Sequence, residues 1–306
     1  MSATNSTLLI TGANGFVGRH VLAAVEQGVF GSVDATVAPS GWDIREPASV
    51  RELVARVRPA AVLHLAAQSF VPRSFEDPAG TLATNVIGTA NLIQALGETG
   101  FQGRLLYVSS GDIYGAVADA CLPVDEDTMP HPRSPYAVSK WSAEQLCLQA
   151  QRIGKLDCVI ARPFNHIGPG QGNQFVLPSI ARQIVDIERG EKEAAIDVGD
   201  IDSTRDFTDV RDVVRAYAAM FHSGRTGSVY VVASGVERKV RDMLDAMLAL
   251  AGLDAPIRQD PARLRPSEQR RMVANAARLS QDTGWRPAID INTTLSDILD
   301  FTRNLK

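Results

Sequence analysis

The sequence predicts an α/β protein: a doubly wound parallel sheet with helices on both faces, followed by a smaller C-terminal unit. Three observations carry this. Short apolar runs alternate with amphipathic stretches through the first half of the chain, the pattern of strand–helix–strand units. Spaced glycines join the first apolar run to the first amphipathic one. The alternation breaks down after residue 165, where loop-like segments and isolated helices take over.

Taken in order, TLLIT (7–11) is a buried strand, and a helix follows from Phe16 to about Gln27. VDATVA (33–38) is a weaker strand. PASVRELVARV (47–57) is a helix, with Pro47 suited to its first turn. AAVLHLA (60–66) is a strand, a long helical pattern covers 78–97, and RLLYVSS (104–110) is a strand. Residues 134–154 form a helix that Gly154 can end, and DCVIARP (157–163) is the next strand. GPGQGNQ (168–174) is loop-like. FVLPSIARQIVDIERG (175–190) carries a helix and AAIDVG (194–199) a short strand. DVRDVVRAYAAMFHSG (209–224) is a helix capped by Asp209. SVYVVAS (228–234) returns to the sheet, and helices near 240–251 and 292–304 flank a Pro- and Arg-rich stretch, DPARLRPSEQRR (260–271).

At 306 residues the chain can bury a substantial core, as one large domain or two small ones. Net charge is −4 with both signs interspersed, so no basic face marks a nucleic-acid partner. No apolar stretch approaches the roughly 20 residues of a membrane helix, and the N-terminus lacks the basic start of a signal peptide. The three cysteines, Cys121, Cys147 and Cys158, have no metal-like spacing, so neither a metal site nor a disulfide framework is expected. Free thiols fit the reducing cytoplasm.

ITGANGFVG (10–18) places Gly12, Gly15 and Gly18 between strand and helix. Glycine permits the tight turn, lets backbone N–H groups approach a pyrophosphate, and leads into a helix N-terminus of partial positive charge. In this context the glycines point to a Rossmann-like dinucleotide-binding fold. The segment ATVAPSG (35–41), where an acid would select NAD, has neither an acid nor a basic cluster. The cofactor is therefore left as NADPH or NADH. Arg19 could reach a 2′-phosphate or simply be solvated. Asp43, in GWDIRE, could bond an adenine amine or cap a turn.

Tyr136 and Lys140, in YAVSK, share one helix face at i and i+4. A neighbouring ammonium is expected to stabilise tyrosinate and lower the tyrosine pKa, giving a phenol suited to proton transfer. Ser109 and Ser110 end the preceding strand in the order such a site requires.

TGANGFVG, HLAAQS, SSGDIYG, YAVSK and RPFNHIGPGQ, in this order, resemble the extended short-chain dehydrogenase/reductase family. Within it, HLAAQSFVPRSFEDPA, RDFTDVRDV and RLRPSEQRR are similar to the reductases of GDP-4-keto-6-deoxy-D-mannose. The resemblance spans nearly the whole chain and implies the following roles. Ser110, Tyr136 and Lys140 are catalytic. The cofactor lies on Gly12, Asn14, Gly15, Phe16, Val17, Gly18, Asp43, Ile44, Ala66, Ala67, Asn85, Ser109 and Pro163, with Tyr136 and Lys140. A GDP-sugar substrate meets Gln68, Ser110, Asn165, Arg182, Arg205, Arg265 and Glu268. Residues 1–165 with about 209–234 form the NAD(P)-binding domain, and about 166–208 with 235–306 the nucleotide-sugar domain.

The implied reaction is reduction of the C4 ketone to GDP-D-rhamnose. The opposite sugar face would give GDP-6-deoxy-D-talose. Asp112 stands where the related GDP-mannose 4,6-dehydratases carry a glutamate, and its shorter reach argues for a reductase over a dehydratase. A non-catalytic cofactor sensor on the same fold would not need the Ser–Tyr–Lys set. The family also implies a homodimer through the helices near 80–97 and 136–152, with Trp141, Leu146 and Leu148 either in the contact or in the core.

Overall fold

The computed structural model describes residues 6–263 and 270–305; Arg265 and Glu268 lie outside the described residues. The first half runs β1 (Thr7–Thr11), α1 (Phe16–Glu26), β2 (Asp34–Val37), α2 (Pro47–Val57), β3 (Ala61–His64), α3 (Val71–Glu76), α4 (Pro78–Leu82), a π-helical turn (Ala83–Ile87), α5 (Gly88–Glu98), β4 (Arg104–Val108), α6 (Pro135–Arg152) and β5 (Asp157–Pro163). The second half adds β6 (Asn165–Ile167), α7 (Val176–Glu188), β7 (Ile196–Val198), β8 (Thr204–Asp209), α8 (Val210–Ser223), β9 (Val229–Val232), β10 (Glu237–Lys239), α9 (Val240–Ala251), β11 (Ile257–Gln259), α10 (Ala277–Thr283) and α11 (Ile291–Arg303).

The main sheet has the order β2-β1-β3-β4-β5-β9, and every pair in it is parallel. Strand residues alternate between its faces, as a period of two requires. Leu8, Ile10, Leu106 and Val108 pack with α1, α8 and α10, while Leu9, Leu105 and Tyr107 pack with α2, α5 and α6. The winding reverses between β1 and β3, which opens a crevice beyond the carboxyl ends of these strands. A separate apolar cluster joins α7, α9 and α11, beside small sheets of order β10-β8-β6 and β11-β7.

One expectation needs correction. The helix expected over 78–97 is broken into α4, the π-turn and α5, and α3 precedes it. Strand β8 went unread because TRDFTD contains one large apolar residue; its buried Asp206 instead accepts hydrogen bonds from Ser234, Gly235 and Ala274. Of the two places left open for Trp141 and Leu148, both take the core, Trp141 packed against the cluster of Ile113 and Tyr114 and Leu148 in the α2–α5–α6 layer.

Candidate active site

The glycine loop is dictated partly by packing and partly by something beyond the chain. Gly12 has φ +75°, and a Cβ there would lie 2.7 Å from the Ala66 nitrogen. At Gly18 it would lie 2.5 Å from the Ala13 backbone. Gly15, by contrast, has ordinary φ and would meet only the Gly12 carbonyl at 3.2 Å. It starts α1 without a side-chain cap, and no acidic residue stands in the first turn, so the positive helix end at Phe16–Val17 suits an anionic pyrophosphate. Asn14 beside it is exposed.

Arg19 lies exposed on α1, with its guanidinium held by backbone carbonyls. Its guanidinium donates to the Asn14 carbonyl (2.9 Å) and the Gly170 carbonyl (2.8 Å). With His20 bonded to the Pro169 carbonyl and Phe16 stacked on His166, it ties α1 to the loop after β6. Asp43 accepts from the Arg45 amide and pairs with the Arg45 guanidinium, which holds its carboxyl below the usual range. Ile44 is buried against Gly88, and its carbonyl is held by Asn91.

The serine, tyrosine and lysine converge beyond β4. Ser134 caps α6 by accepting from Ala137, and Pro135 opens the helix, so Tyr136 lies in its first turn and Lys140 one turn on. The Ser110 oxygen accepts the Asp112 amide at 3.2 Å. The hydroxyl also hydrogen-bonds the Tyr136 phenol. Burial pushes the Tyr136 pKa well up, the Asp112 carboxylate adds to this, and Ser110 opposes it. Burial, rather than the Lys140 ammonium expected to depress it, sets the direction of the Tyr136 shift. Burial also pulls Lys140 down to about 8, against the raising effect of Cys147 and Glu144. The Lys140 ammonium sits 4.7 Å over the Tyr107 ring.

Around them, Ala66 and Ala67 follow β3, Pro163 ends β5, and Ser109 Oγ is buried with no protein partner among the described residues. An orphaned buried hydroxyl after β4 and a bare helix N-terminus after β1, both at carboxyl ends of parallel strands, fit a bound dinucleotide in this crevice. Asn85, in the π-turn, is buried and holds the Gln68 backbone at both its N–H (2.8 Å) and its carbonyl (3.0 Å).

At the sugar-nucleotide end, Asn165 is exposed and pairs in register with Phe207, two residues from Arg205 on the neighbouring strand. Arg205 donates to the Thr204 carbonyl. The acids near it in sequence have other partners: Asp202 pairs with Lys239, Asp209 with Arg211, and Asp206 accepts backbone amides. Arg182 pairs with Asp186 at 2.8 Å. Gln68 spends its amide on Phe70 and Thr81.

Sequence reasoning missed the buried Glu144–Arg162 pair and the polar side chains Thr11, Thr89 and Ser139. Only Ser139 carried a signal, its place inside YAVSK.

Residues 31–298 match the family model described as GDP-mannose 4,6 dehydratase. The chain belongs to the GDP-mannose 4,6-dehydratase family. This member of the extended short-chain dehydrogenases/reductases is 48% identical over 292 residues to the GDP-6-deoxy-D-mannose reductase of Pseudomonas aeruginosa, covering 95% of each chain. It is 29% identical to a dTDP-glucose 4,6-dehydratase of Streptomyces antibioticus, over 97% of this chain and 92% of that one. Its fold superposes on RMD from Pseudomonas aeruginosa complexed with NADPH with a TM-score of 0.91, at 45% identity, covering 97% of this chain and 99% of that one. The family thus contains both reductases and dehydratases, and the residues around Tyr136 must distinguish them.

Proposed function

We propose that the enzyme reduces the C4 ketone of GDP-4-keto-6-deoxy-D-mannose, using NADPH or NADH, to give GDP-D-rhamnose. The buried Ser110–Tyr136 pair one turn from Lys140 carries this reading, in a chain 48% identical to a GDP-6-deoxy-D-mannose reductase. When bound, the reduced nicotinamide supplies the hydride. Tyr136 then gives its proton to the C4 oxygen. Its raised pKa keeps the phenol protonated until negative charge grows on that oxygen, and the Ser110 hydroxyl stabilises the oxygen that carries the charge. Ser110 accepts the Asp112 amide, which leaves its own proton to donate. Lys140 holds the nicotinamide ribose, and Ser109 faces the cofactor.

The phosphate loop, with Asn14, Phe16 and Val17, takes the pyrophosphate. Ile44, Ala66, Ala67, Asn85 and Pro163 line the cofactor. Asn165 and Arg205, on adjacent strands, and Arg182 hold the GDP-sugar with Arg265 and Glu268. Gln68 serves the site through its turn. Residues 1–165 with 209–234 form the cofactor domain, on whose sheet α10 also packs, and 166–208 with the rest of 235–306 form the sugar-nucleotide domain.

Asp112 distinguishes reductase from dehydratase. Its carboxylate acts on Tyr136 electrostatically, yet it lies exposed on the turn after Ser110 and is one methylene shorter than the glutamate of the related dehydratases. A dehydratase must also remove the C5 proton, which demands an acid or base within about 3 Å of it.

A homodimer is supported by exposed apolar side chains on adjoining helices: Phe75, Leu82, Ile87 and Val138. Free thiols at Cys147 and Cys158 support a cytoplasmic setting.

The test is NADPH oxidation with GDP-4-keto-6-deoxy-D-mannose against its dTDP-glucose-derived counterpart. Turnover of the GDP-sugar, lost in Tyr136→Phe by about two to four orders of magnitude, supports the reading. Full turnover in that variant overturns it.

A further inference from the structure

A continuous chain of buried hydrogen bonds runs from the phosphate-loop strand to Tyr136. Thr11 ends β1, immediately before Gly12, and His64 is its register partner at the end of β3. Thr11 Oγ1 lies 2.6 Å from His64 Nδ1 and accepts the Ala66 amide at 3.3 Å. On its other edge, His64 Nε2 lies 3.0 Å from Thr89 Oγ1, which donates to the Asn85 carbonyl at 2.7 Å. The Asn85 amide group donates to Ser139 Oγ at 2.8 Å, and Ser139 donates to the Tyr136 carbonyl at 2.7 Å. None of Thr11, His64, Thr89, Asn85 and Ser139 is more than 1% exposed.

The proton positions along this chain follow from counting donors. Thr89 has one hydroxyl proton, and the Asn85 carbonyl takes it. Thr89 must therefore accept from His64, so the ring carries its proton on Nε2. Burial pulls the His64 pKa down to about 3, with the Lys140 charge adding to the effect, so the ring is neutral and Nδ1 is an acceptor. Thr11 then donates to Nδ1, which leaves its lone pairs for the Ala66 amide. Every group is satisfied in one arrangement only. His64 also packs against Tyr107 at 5.7 Å, the ring over which the Lys140 ammonium sits.

We propose that His64 is a positioning residue for the reduction: its neutral ring locks the cofactor loop to the π-turn and, through Asn85 and Ser139, to the first turn of the helix carrying Tyr136. This rests on the reading of Tyr136 as the proton donor. Two sides of the reaction sit on different elements, the cofactor on the β1 and β3 loops and the proton donor on α6. His64 bonds Thr11 at the end of β1 and Thr89 at the start of α5, one turn beyond Asn85 in the π-turn. A misplacement of about 1 Å between reacting groups can cost a hundredfold in rate, so a rigid bridge between these elements acts directly on turnover.

The test uses Thr89→Val, which removes the acceptor for His64 at nearly constant volume, with Thr89→Ser as its rescue. At saturating substrates, Thr89→Val lowers kcat by about ten- to a hundredfold. The KM for the GDP-sugar changes less than kcat, because Asn165 and Arg205 lie on β6 and β8, outside this chain of bonds. The primary isotope effect with 4-deuterated NADPH increases, since hydride transfer has become slower than the other steps, and Thr89→Ser restores both values. A purely structural role would lower only the active fraction. An isotope effect unchanged in Thr89→Val, or a serine variant as slow as the valine one, therefore overturns the proposal. If Thr89→Val does not yield folded protein, Ser139→Ala breaks the same chain at its other end and is judged by the same isotope effect. Failure of the Tyr136 reading is recognised separately, by a Tyr136→Phe enzyme that turns over at the wild-type rate.

Discussion

Replacing Arg162 with methionine should cost the fold about 3–5 kcal/mol, far more than a typical surface substitution. Arg162 lies on β5 and Glu144 on α6, and their side chains are 6% and 0% exposed. The guanidinium meets both carboxylate oxygens, at 2.6 and 3.2 Å, and a third nitrogen donates to the Tyr114 hydroxyl at 2.8 Å and the Glu126 carbonyl at 3.2 Å. Its plane also lies over the Tyr114 ring. At an effective dielectric near 20, two charges about 4 Å apart attract by roughly 4 kcal/mol, which is of the size needed to hold the pair against desolvation. Methionine fills much of the same space but leaves Glu144 as an unpaired buried charge. Adding Glu144→Leu removes that charge and should recover at least half of the loss, because replacing a buried pair costs less than breaking one. The assay is equilibrium unfolding in urea at pH 7, with midpoint and slope compared across the two single variants and the double variant. A single variant within about 1 kcal/mol of wild type would mean that the pair is effectively solvated. A double variant no more stable than Arg162→Met would show that the unpaired carboxylate was not the source of the loss.

Three further outcomes follow from the same geometry. Burial holds the Lys140 pKa near about 8, below its ordinary 10.5, so between these values the unfolded chain binds more protons and stability rises with pH. Lys140→Met should therefore be more stable than wild type at pH 7 by up to about 3 kcal/mol, with the gap closing between pH 8 and 10.5; a gap that does not change with pH in urea titrations contradicts this. Gly12→Ala places a methyl group 2.7 Å from the Ala66 nitrogen at positive φ, and should raise the Kd for NADPH at least about tenfold by fluorescence titration. Ile87→Asp, on the π-turn, should lower the sedimentation coefficient if the proposed homodimer forms through this face, and an unchanged coefficient contradicts that proposal.

The sheet strands could be read from the sequence because their apolar residues occur in runs. TLLIT, AVLH and RLLYV each supply side chains to both faces of a covered parallel sheet. Strand β8 could not, since its stability comes from Asp206 gathering amides from segments far along the chain, an arrangement no local pattern records. The π-turn was hidden for a related reason. One extra residue per turn brings Asn85 inward, while a 3.6-residue period reads it as an ordinary polar helix position. Tyr136 and Lys140 were evident from their spacing, but their protonation was not. The sign of the Tyr136 shift depends on burial, rather than on the neighbouring ammonium that the spacing suggested. The partners of Asp43 and Arg19 likewise became legible only in three dimensions, where the first is paired with Arg45 and the second with two backbone carbonyls.

The central claim is that hydride reaches C4 of a GDP-4-keto-6-deoxy sugar and that the enzyme does not itself eliminate water. NMR of products from two parallel incubations tests it most directly. With GDP-4-keto-6-deoxy-D-mannose and 4-deuterated NADPH, the account predicts deuterium at C4 and the coupling pattern of GDP-D-rhamnose. With GDP-mannose and oxidised cofactor, it predicts recovered GDP-mannose. A 4-keto-6-deoxy product in the second incubation, or no deuterium at C4 in the first, would contradict it.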